Sequence, residues 1–181
     1  MSIYTSEPFQ VELFKKAIQN IQTVNPVMIE LGCAEAEYSQ LFCSFFNNNC
    51  INICIDILPR QLIKAKKTCP SAEIIHGYVG KKIHRGEIEE NNFNAPRVLI
   101  NNYIDRYKKI DMLHMDVQGA EPYVLEEIHK NLNNINFIFI SLHETYEEVK
   151  KLITEQFEYV YEHPTFGGQG DELIVIKNKN F

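Results

Sequence analysis

Four ionisable residues sit where apolar runs end or are interrupted, and their types suit proton transfer and ligand orientation. Asp116 closes the run from Ile110 to Met115, and it precedes Gly119 and the helically spaced Glu121, Val124, Leu125 and Ile128. His143, with Glu144 beside it, follows the apolar residues 137–142. Asp56 closes residues 51–55, and Glu30 lies inside residues 27–31. An imidazole changes charge near neutral pH, so His143 is the candidate general base. Asp116 is the candidate partner that orients this base or receives a substrate hydroxyl. His114, inside its own apolar run, reads as a hydrogen-bonded structural histidine and as a second candidate base. It shares a strand face with Asp116 by alternation. As a lone feature, Asp116 also reads as a cap on the following helix.

A second constellation lies upstream. Gly32, Cys33, Ala34, Glu35 and Ala36 form a run of mostly small residues between an apolar stretch and the helically spaced Tyr38, Leu41, Phe42 and Phe45. Small side chains at a strand-to-helix turn let a ligand approach the backbone. Asp56 follows roughly two dozen residues later, the separation at which an acid accepts hydrogen bonds from ribose hydroxyls. Glu30, Gly32, Ala34 and Asp56 are therefore the candidate cofactor-binding residues. Asp116, Glu121, His143 and Glu144 include ligand types for a divalent ion, but their spacing makes no metal motif and capping explains acids at helix starts. No metal is expected.

The elements that must position these residues alternate between strands and helices. Extended stretches are expected at 27–31, 51–55, 73–76, 97–100, 110–115 and 137–142, with helices at about 36–46, 61–67 and 121–128. A further helical face is expected from Tyr146, Val149, Leu152, Ile153 and Phe157. Residues 159–161 and 172–176 read as two more strands joined through Gly167, Gly168, Gln169 and Gly170. Their short, non-helical connection suits an antiparallel hairpin, because a parallel crossover normally needs a helix. A doubly wound α/β sheet ending in such a hairpin is the Rossmann-like class I methyltransferase arrangement, and it departs from that of a nicotinamide dehydrogenase. Phe9, Leu13, Ala17, Ile18 and Ile21 predict an amphipathic helix, so residues 1–25 are read as a helical cover and 26–181 as the α/β domain.

Composition narrows the class. The 181 residues are 45% hydrophobic, enough for a full core, and no apolar run reaches membrane-spanning length. Twenty-four acids against eighteen Lys and Arg give a formal charge of -6, which disfavours a nucleic-acid partner. The local basic clusters Lys64, Lys66, Lys67 and Lys81, Lys82, Arg85 read mainly as solvated faces. Asn91 and Asn92 and the later asparagines from 131 to 136 read as turns. Five cysteines, an odd number without zinc spacing, predict free thiols in a reducing, cytoplasmic setting. Asp171 and Glu172 are possible lining residues of an acceptor pocket.

The block 110–121 resembles the FkbM-type family of S-adenosylmethionine-dependent methyltransferases. Ile110, Asp111, Asp116, Gly119, Glu121 and Leu125 match the family pattern, whereas His114 and Gln118 stand where it usually has Lys and Glu. Glu30, Gly32, Ala34 and Tyr38 fall in the first methyltransferase motif, and Ala36 replaces its final glycine. The resemblance runs from about Val27 to Lys177, with the stretch before Arg97 shortened. It implies S-adenosyl-L-methionine as cofactor, Asp56 near its ribose, and a His or Glu at the site after Ile138 and Phe139. It also implies O-methylation of a sugar hydroxyl or another small hydroxylated metabolite. The alternative is a non-catalytic protein that keeps the fold for interaction or cofactor binding. A dimer is compatible with either.

Overall fold

A computed structural model describes residues 8–81, 94–163 and 172–181. Lys82, Arg85, Asn91, Asn92, the glycines from 167 to 170 and Asp171 lie outside the described residues. Seven strands form one sheet: β1 (Val27–Leu31), β2 (Ile51–Asp56), β3 (Glu73–His76), β4 (Ile110–Met115), β5 (Ile135–Leu142), β6 (Phe157–His163) and β7 (Glu172–Asn178). Their order is β3-β2-β1-β4-β5-β7-β6. β1, β2, β3, β4 and β5 pair in parallel, while β7 runs antiparallel to both β5 and β6. The expected hairpin is therefore present, with β7 inserted between β5 and β6. The chain reverses its winding between β1 and β4, the place where ligands bind in open α/β sheets.

Alternation along the central strands sends two sets of side chains to opposite faces. Ile29, Leu31, Leu113, Met115, Ile138 and Ile140 face a core completed by α4 (Ile100–Tyr107), α5 (Glu121–Ile128) and α6 (Tyr146–Leu152). Met28, Met112, Phe137 and Phe139 face the other way, against α1 (Pro8–Ile18) and α2 (Glu37–Phe45). A third cluster, rich in cysteine, fills the space between β2, α2 and α3 (Pro59–Thr68). Both faces are covered, which is why these strands read as nearly continuous apolar runs.

Three expected boundaries move. The buried stripe of α1 is Gln10, Phe14, Ala17 and Ile18, whereas Phe9 is exposed and meets the Tyr161 ring edge-on. Residues 97–100 are not a strand: Arg97 makes one isolated bridge to Tyr78, and Ile100 begins α4. Its amide and that of Asn101 donate to Glu127, so a side chain from α5 organises the helix start. The face drawn from Tyr146 to Phe157 is split, because α6 stops at Leu152 and Phe157 opens β6. Asn136 likewise belongs to β5 rather than to a turn.

Asp111 explains how the N-terminal segment enters the sheet. It is buried in β4, accepts from the Val27 amide at 2.9 Å and also accepts from the Thr23 hydroxyl. A carboxylate that holds two donors fixes the path from α1 into β1.

Candidate functional site

The turn after β1 lies directly against the end of β4. Gly32 has φ +71°, and a Cβ there would fall 1.8 Å from the Asp116 carbonyl oxygen. Any side chain would therefore force the two strand ends apart. The Asp116 amide donates to the Leu31 carbonyl at 2.9 Å, and the Gly32 amide donates to Ile55 at 2.9 Å. One backbone assembly thus joins the carboxyl ends of β1, β2 and β4. The turn continues through Ala34 at φ 44° and Ala36 at φ 59°. Both alanines hold the left-handed backbone that glycine takes without strain.

Asp56 stands at the end of β2, where one carboxylate oxygen accepts from the Ala34 amide at 2.9 Å and the other from the Leu58 amide at 2.7 Å. The second contact closes a local turn just ahead of α3, whose N-cap Leu58 has no side-chain cap of its own. Burial raises the Asp56 pKa despite those bonds. Each oxygen retains a second acceptor position for a hydroxyl. Glu30 is more enclosed: it accepts from the Ser39 amide at 3.1 Å, and burial holds its carboxyl well above the usual range. It braces the start of α2 from beneath the turn.

At the β4 and β5 ends, the structure brings Asp116 and His143 together through a third residue and a fourth. His143 Nδ1 lies 3.0 Å from Glu121 Oε1, and its Nε2 lies 2.8 Å from Gln118 Nε2. Asp116 Oδ1 is 3.4 Å from Nε2, and the Gln118 amide donates to that same oxygen at 3.1 Å. A carboxylate only accepts, so a proton on Nδ1 completes the bond to Glu121, whereas Nε2 faces both the Gln118 amide and the Asp116 carboxylate. Glu121 is the nearer carboxylate to the imidazole, at 3.0 Å against 3.4 Å for Asp116.

Glu121 is fully buried at the start of α5. It also accepts from the Thr145 hydroxyl at 3.1 Å and from the amides of Gly119 and Val117 at 3.2 and 3.4 Å. Gln118 at φ 53° and Gly119 at φ 96° turn the chain so that these amides face the carboxylate. Asp116 does not cap α5, whose N-cap has no side-chain hydrogen bond. In the sequence Glu121 stands out only as a motif match and as an ion-ligand type. Its place at the first turn of a helix following a strand-end acid was the available signal.

His114 is a correction of another kind. It lies in β4 directly across from Glu30 in β1, and both are buried. Its Nδ1 is 3.8 Å from Glu30 Oε1, while neither ring nitrogen has a hydrogen-bond partner among the described residues. Tyr38, Phe139 and Phe14 surround the ring. Burial drives its pKa down to about 3. It is buried and neutral, but not the hydrogen-bonded histidine expected. Among the described residues, no three His, Cys, Asp or Glu side chains are arranged to hold a metal ion.

No family model and no curated protein matches the chain. Solved structures do match it. The TrmK protein of M. capricolum, in complex with S-adenosyl-homocysteine, is 16% identical with a TM-score of 0.54, covering 93% of this chain and 69% of its own. A TehB-like SAM-dependent methyltransferase from Corynebacterium glutamicum is 12% identical at TM-score 0.53, covering 92% and 87%. Fibrillarin, a pre-rRNA processing protein of Methanococcus jannaschii, is 15% identical at TM-score 0.53, covering 88% and 69%. The fold is that of the class I methyltransferases. At these identities the likeness extends to architecture, and the residues of the site must carry any chemical argument.

Proposed function

We propose that this protein is an S-adenosylmethionine-dependent methyltransferase that methylates a hydroxyl of a small metabolite, with His143 as base. The observation that carries the reading is the Glu121–His143–Gln118 relay at the same sheet edge as the Gly32 turn. Supporting it are the methyltransferase folds of the neighbours and the bound S-adenosyl-homocysteine of one of them. The residues present fit that cofactor: the turn keeps a glycine-like backbone, and Asp56 has acceptor positions left for ribose hydroxyls. When bound, S-adenosylmethionine supplies an electrophilic methyl group.

The protein's own part is positioning and proton removal. Glu121 holds Nδ1–H, leaving Nε2 to receive a proton. Gln118 occupies that lone pair in this structure, and its exposed side chain can give way to an acceptor hydroxyl. Asp116, with its side chain 41% exposed against 14% for His143, is placed to bind the incoming hydroxyl group. The hydroxyl proton passes to His143 Nε2 as the oxygen takes the methyl, and then leaves to solvent. The FkbM-type resemblance at 110–121 makes a sugar or similar polyol the first acceptor class to test.

RNA is the competing acceptor, because two structural neighbours bear ribosomal-RNA names, one for pre-rRNA processing and one for rRNA methylation. The charge around His143 weighs against it. Asp116 lies 3.4 Å from the ring, Glu144 follows His143 in the chain, and the repulsion of Glu144 and Glu147 contributes to raising the Glu172 pKa after burial. A polyanion would meet like charge there. The non-catalytic reading also has an observation in its favour, since Gln118 covers the base and both Asp56 oxygens are engaged internally. Helix α1, which buries Phe14 and Ile18 against the sheet, supports reading residues 1–25 as a cover for the domain at 26–181. No described helix is long and apolar enough to cross a membrane.

The deciding experiment is a labelled-methyl transfer screen over sugars, small hydroxylated metabolites and RNA, coupled to calorimetric titration of the cofactor and its demethylated product. His143→Ala should lose on the order of 100-fold or more in turnover while keeping cofactor affinity. Transfer undiminished by that change would remove His143 as base. No cofactor binding by the wild type would remove the enzyme reading altogether.

A further inference from the structure

All five cysteines of the chain, although they range from Cys33 to Cys69 in sequence, gather in the small cluster between β2, α2 and α3. They divide into two groups. Cys33 and Cys54 lie under the small-residue turn, where Ser39 and Glu30 surround Cys54. Cys43, Cys50 and Cys69 lie around the opposite end of β2: Cys43 Sγ is 3.1 Å from Cys50 Sγ and 3.6 Å from Cys69 Sγ. Asn52 Nδ2 donates to Cys43 Sγ at 3.0 Å.

Local backbone geometry creates the contact. α2 ends at Phe45, and Asn47 and Asn48 then take left-handed conformations at φ 52° and 60°. The Asn48 amide bonds back to the Cys43 carbonyl at 2.7 Å, folding the chain over the helix end. Cys50 is thereby returned beside Cys43 just before β2 begins. Cys43 is buried, whereas Cys50 is partly open to solvent.

We propose that Cys43 and Cys50 are a redox-active thiol pair, oxidised by hydroperoxides to a reversible intramolecular disulfide. Cys50 is the attacking thiol because it is the reachable one. The hydrogen bond from Cys43 lowers the Cys50 pKa and raises that of Cys43, giving the two sulfurs the unequal character that attack and resolution require. The Cys50 thiolate attacks the peroxide O–O bond, forming a sulfenic acid, and the departing alkoxide or hydroxide takes up the proton released by the thiol. Cys43 Sγ then attacks the sulfenic sulfur, and the displaced hydroxide leaves as water with the Cys43 proton. Two thiols and one hydroperoxide give one disulfide, one alcohol or water, and one further water. Reduction by a dithiol restores the pair through thiol–disulfide exchange. Cys69 could attack the Cys43 sulfur in turn, but its thiol pKa is raised, first by its hydrogen bond with Cys43 and then by burial, which keeps it protonated.

The disulfide would pin the end of α2 to the start of β2. Asp56 lies at the other end of that strand, so the linkage stiffens the scaffold from the edge away from His143. This proposal stands independently of the methyl-transfer reading.

Its test uses the full chain treated with hydrogen peroxide under native conditions, alkylated in denaturant and mapped by mass spectrometry. Two of the five thiols should be lost to a Cys43–Cys50 disulfide and recovered with dithiothreitol. The oxidised protein should melt higher by roughly 5 °C, because a short loop is closed in the unfolded chain. Cys50→Ser should abolish both the thiol loss and the shift, whereas Cys69→Ser should preserve both. A disulfide joining another pair, cross-linked dimers, or peroxide converting Cys50 to sulfinic acid without a disulfide would overturn the proposal. Retention of all five thiols in peroxide would overturn it as well.

Discussion

Two glutamate–histidine pairs among the described residues, one at the strand ends and one inside the sheet, have opposite environments. Glu121 and His143 meet at 3.0 Å at the strand ends, where the carboxylate is held by a hydroxyl and two amides and the partly buried ring meets the exposed Gln118 at its other nitrogen. Glu30 and His114 face each other inside the sheet at 3.8 Å, walled in by Tyr38, Phe139 and Phe14. In the first pair, hydrogen bonds compensate the buried charge. In the second, burial pushes the acid up and the histidine down, and both favour their neutral forms. Residue type alone does not make a base; access and preorganised partners do.

The largest break in this comparison should come from Glu121→Ala. It removes the acceptor for His143, Thr145 and two amides in a fully buried position, so a loss of about 3–5 kcal/mol is expected in chemical denaturation. Glu121→Gln keeps the shape but not the charge. It should unfold much closer to wild type while shifting the pH at which His143 titrates, measurable by NMR of the ring protons. An unchanged His143 titration in Glu121→Gln would mean that the carboxylate does not control the ring.

The buried pair gives the next effect, through acid stability. His114 in the folded protein titrates near 3, so between that pH and about 6.5 the unfolded chain binds a proton that the native chain refuses. Stability from this group is therefore lost as pH falls, at up to about 1.4 kcal/mol per pH unit. Glu30 acts in the opposite sense. Its raised pKa lets the native state hold a proton that the unfolded state has released above about 4.5, so its contribution improves as pH falls through that window. His114→Phe removes the first slope and leaves the second. Its stability relative to wild type should rise as pH falls from about 6.5 to 5 in denaturation curves, and a constant difference would contradict a neutral buried histidine.

The smallest effect sharpens the comparison at the cofactor end. Ala36→Gly relieves a left-handed alanine but adds freedom to the unfolded chain, so a gain of about 0.5–1 kcal/mol is expected. Thermal melts would read it, and a loss of stability would show that the Ala36 methyl contributes more packing than its backbone costs.

Much of the architecture was legible because strand and helix periods differ so clearly here. The runs 27–31, 110–115 and 137–142 are buried on both faces, and the lack of a helical pattern near the C-terminus announced the antiparallel hairpin. What failed was local. Residues 97–100 look extended, yet a distant Glu127 supplies the hydrogen bonds that start α4 at Ile100. Phe157 continues a helical spacing on paper, but Phe157 is buried where β6 begins. At the candidate site, sequence spacing placed Asp116 and His143 on one edge, but it could not reveal that Glu121 reaches back under the turn. That depends on Gln118 and Gly119 both holding positive φ. Nor could the separation of five cysteines show that they converge on one small volume.

Gly32 changes how relatives of this chain should be read. Its missing side chain makes room for the Asp116 carbonyl rather than only for a ligand, so the fold itself forbids replacement there. A descendant that had abandoned methyl transfer would still be obliged to keep this glycine for as long as it kept the sheet. Positions 34 and 36 are under no such compulsion, since alanine already occupies both, and Asp56 is tied to the turn through the Ala34 amide. The most recognisable letter of the turn is thus an architectural requirement, and finding it in a relative speaks for the sheet rather than for any reaction.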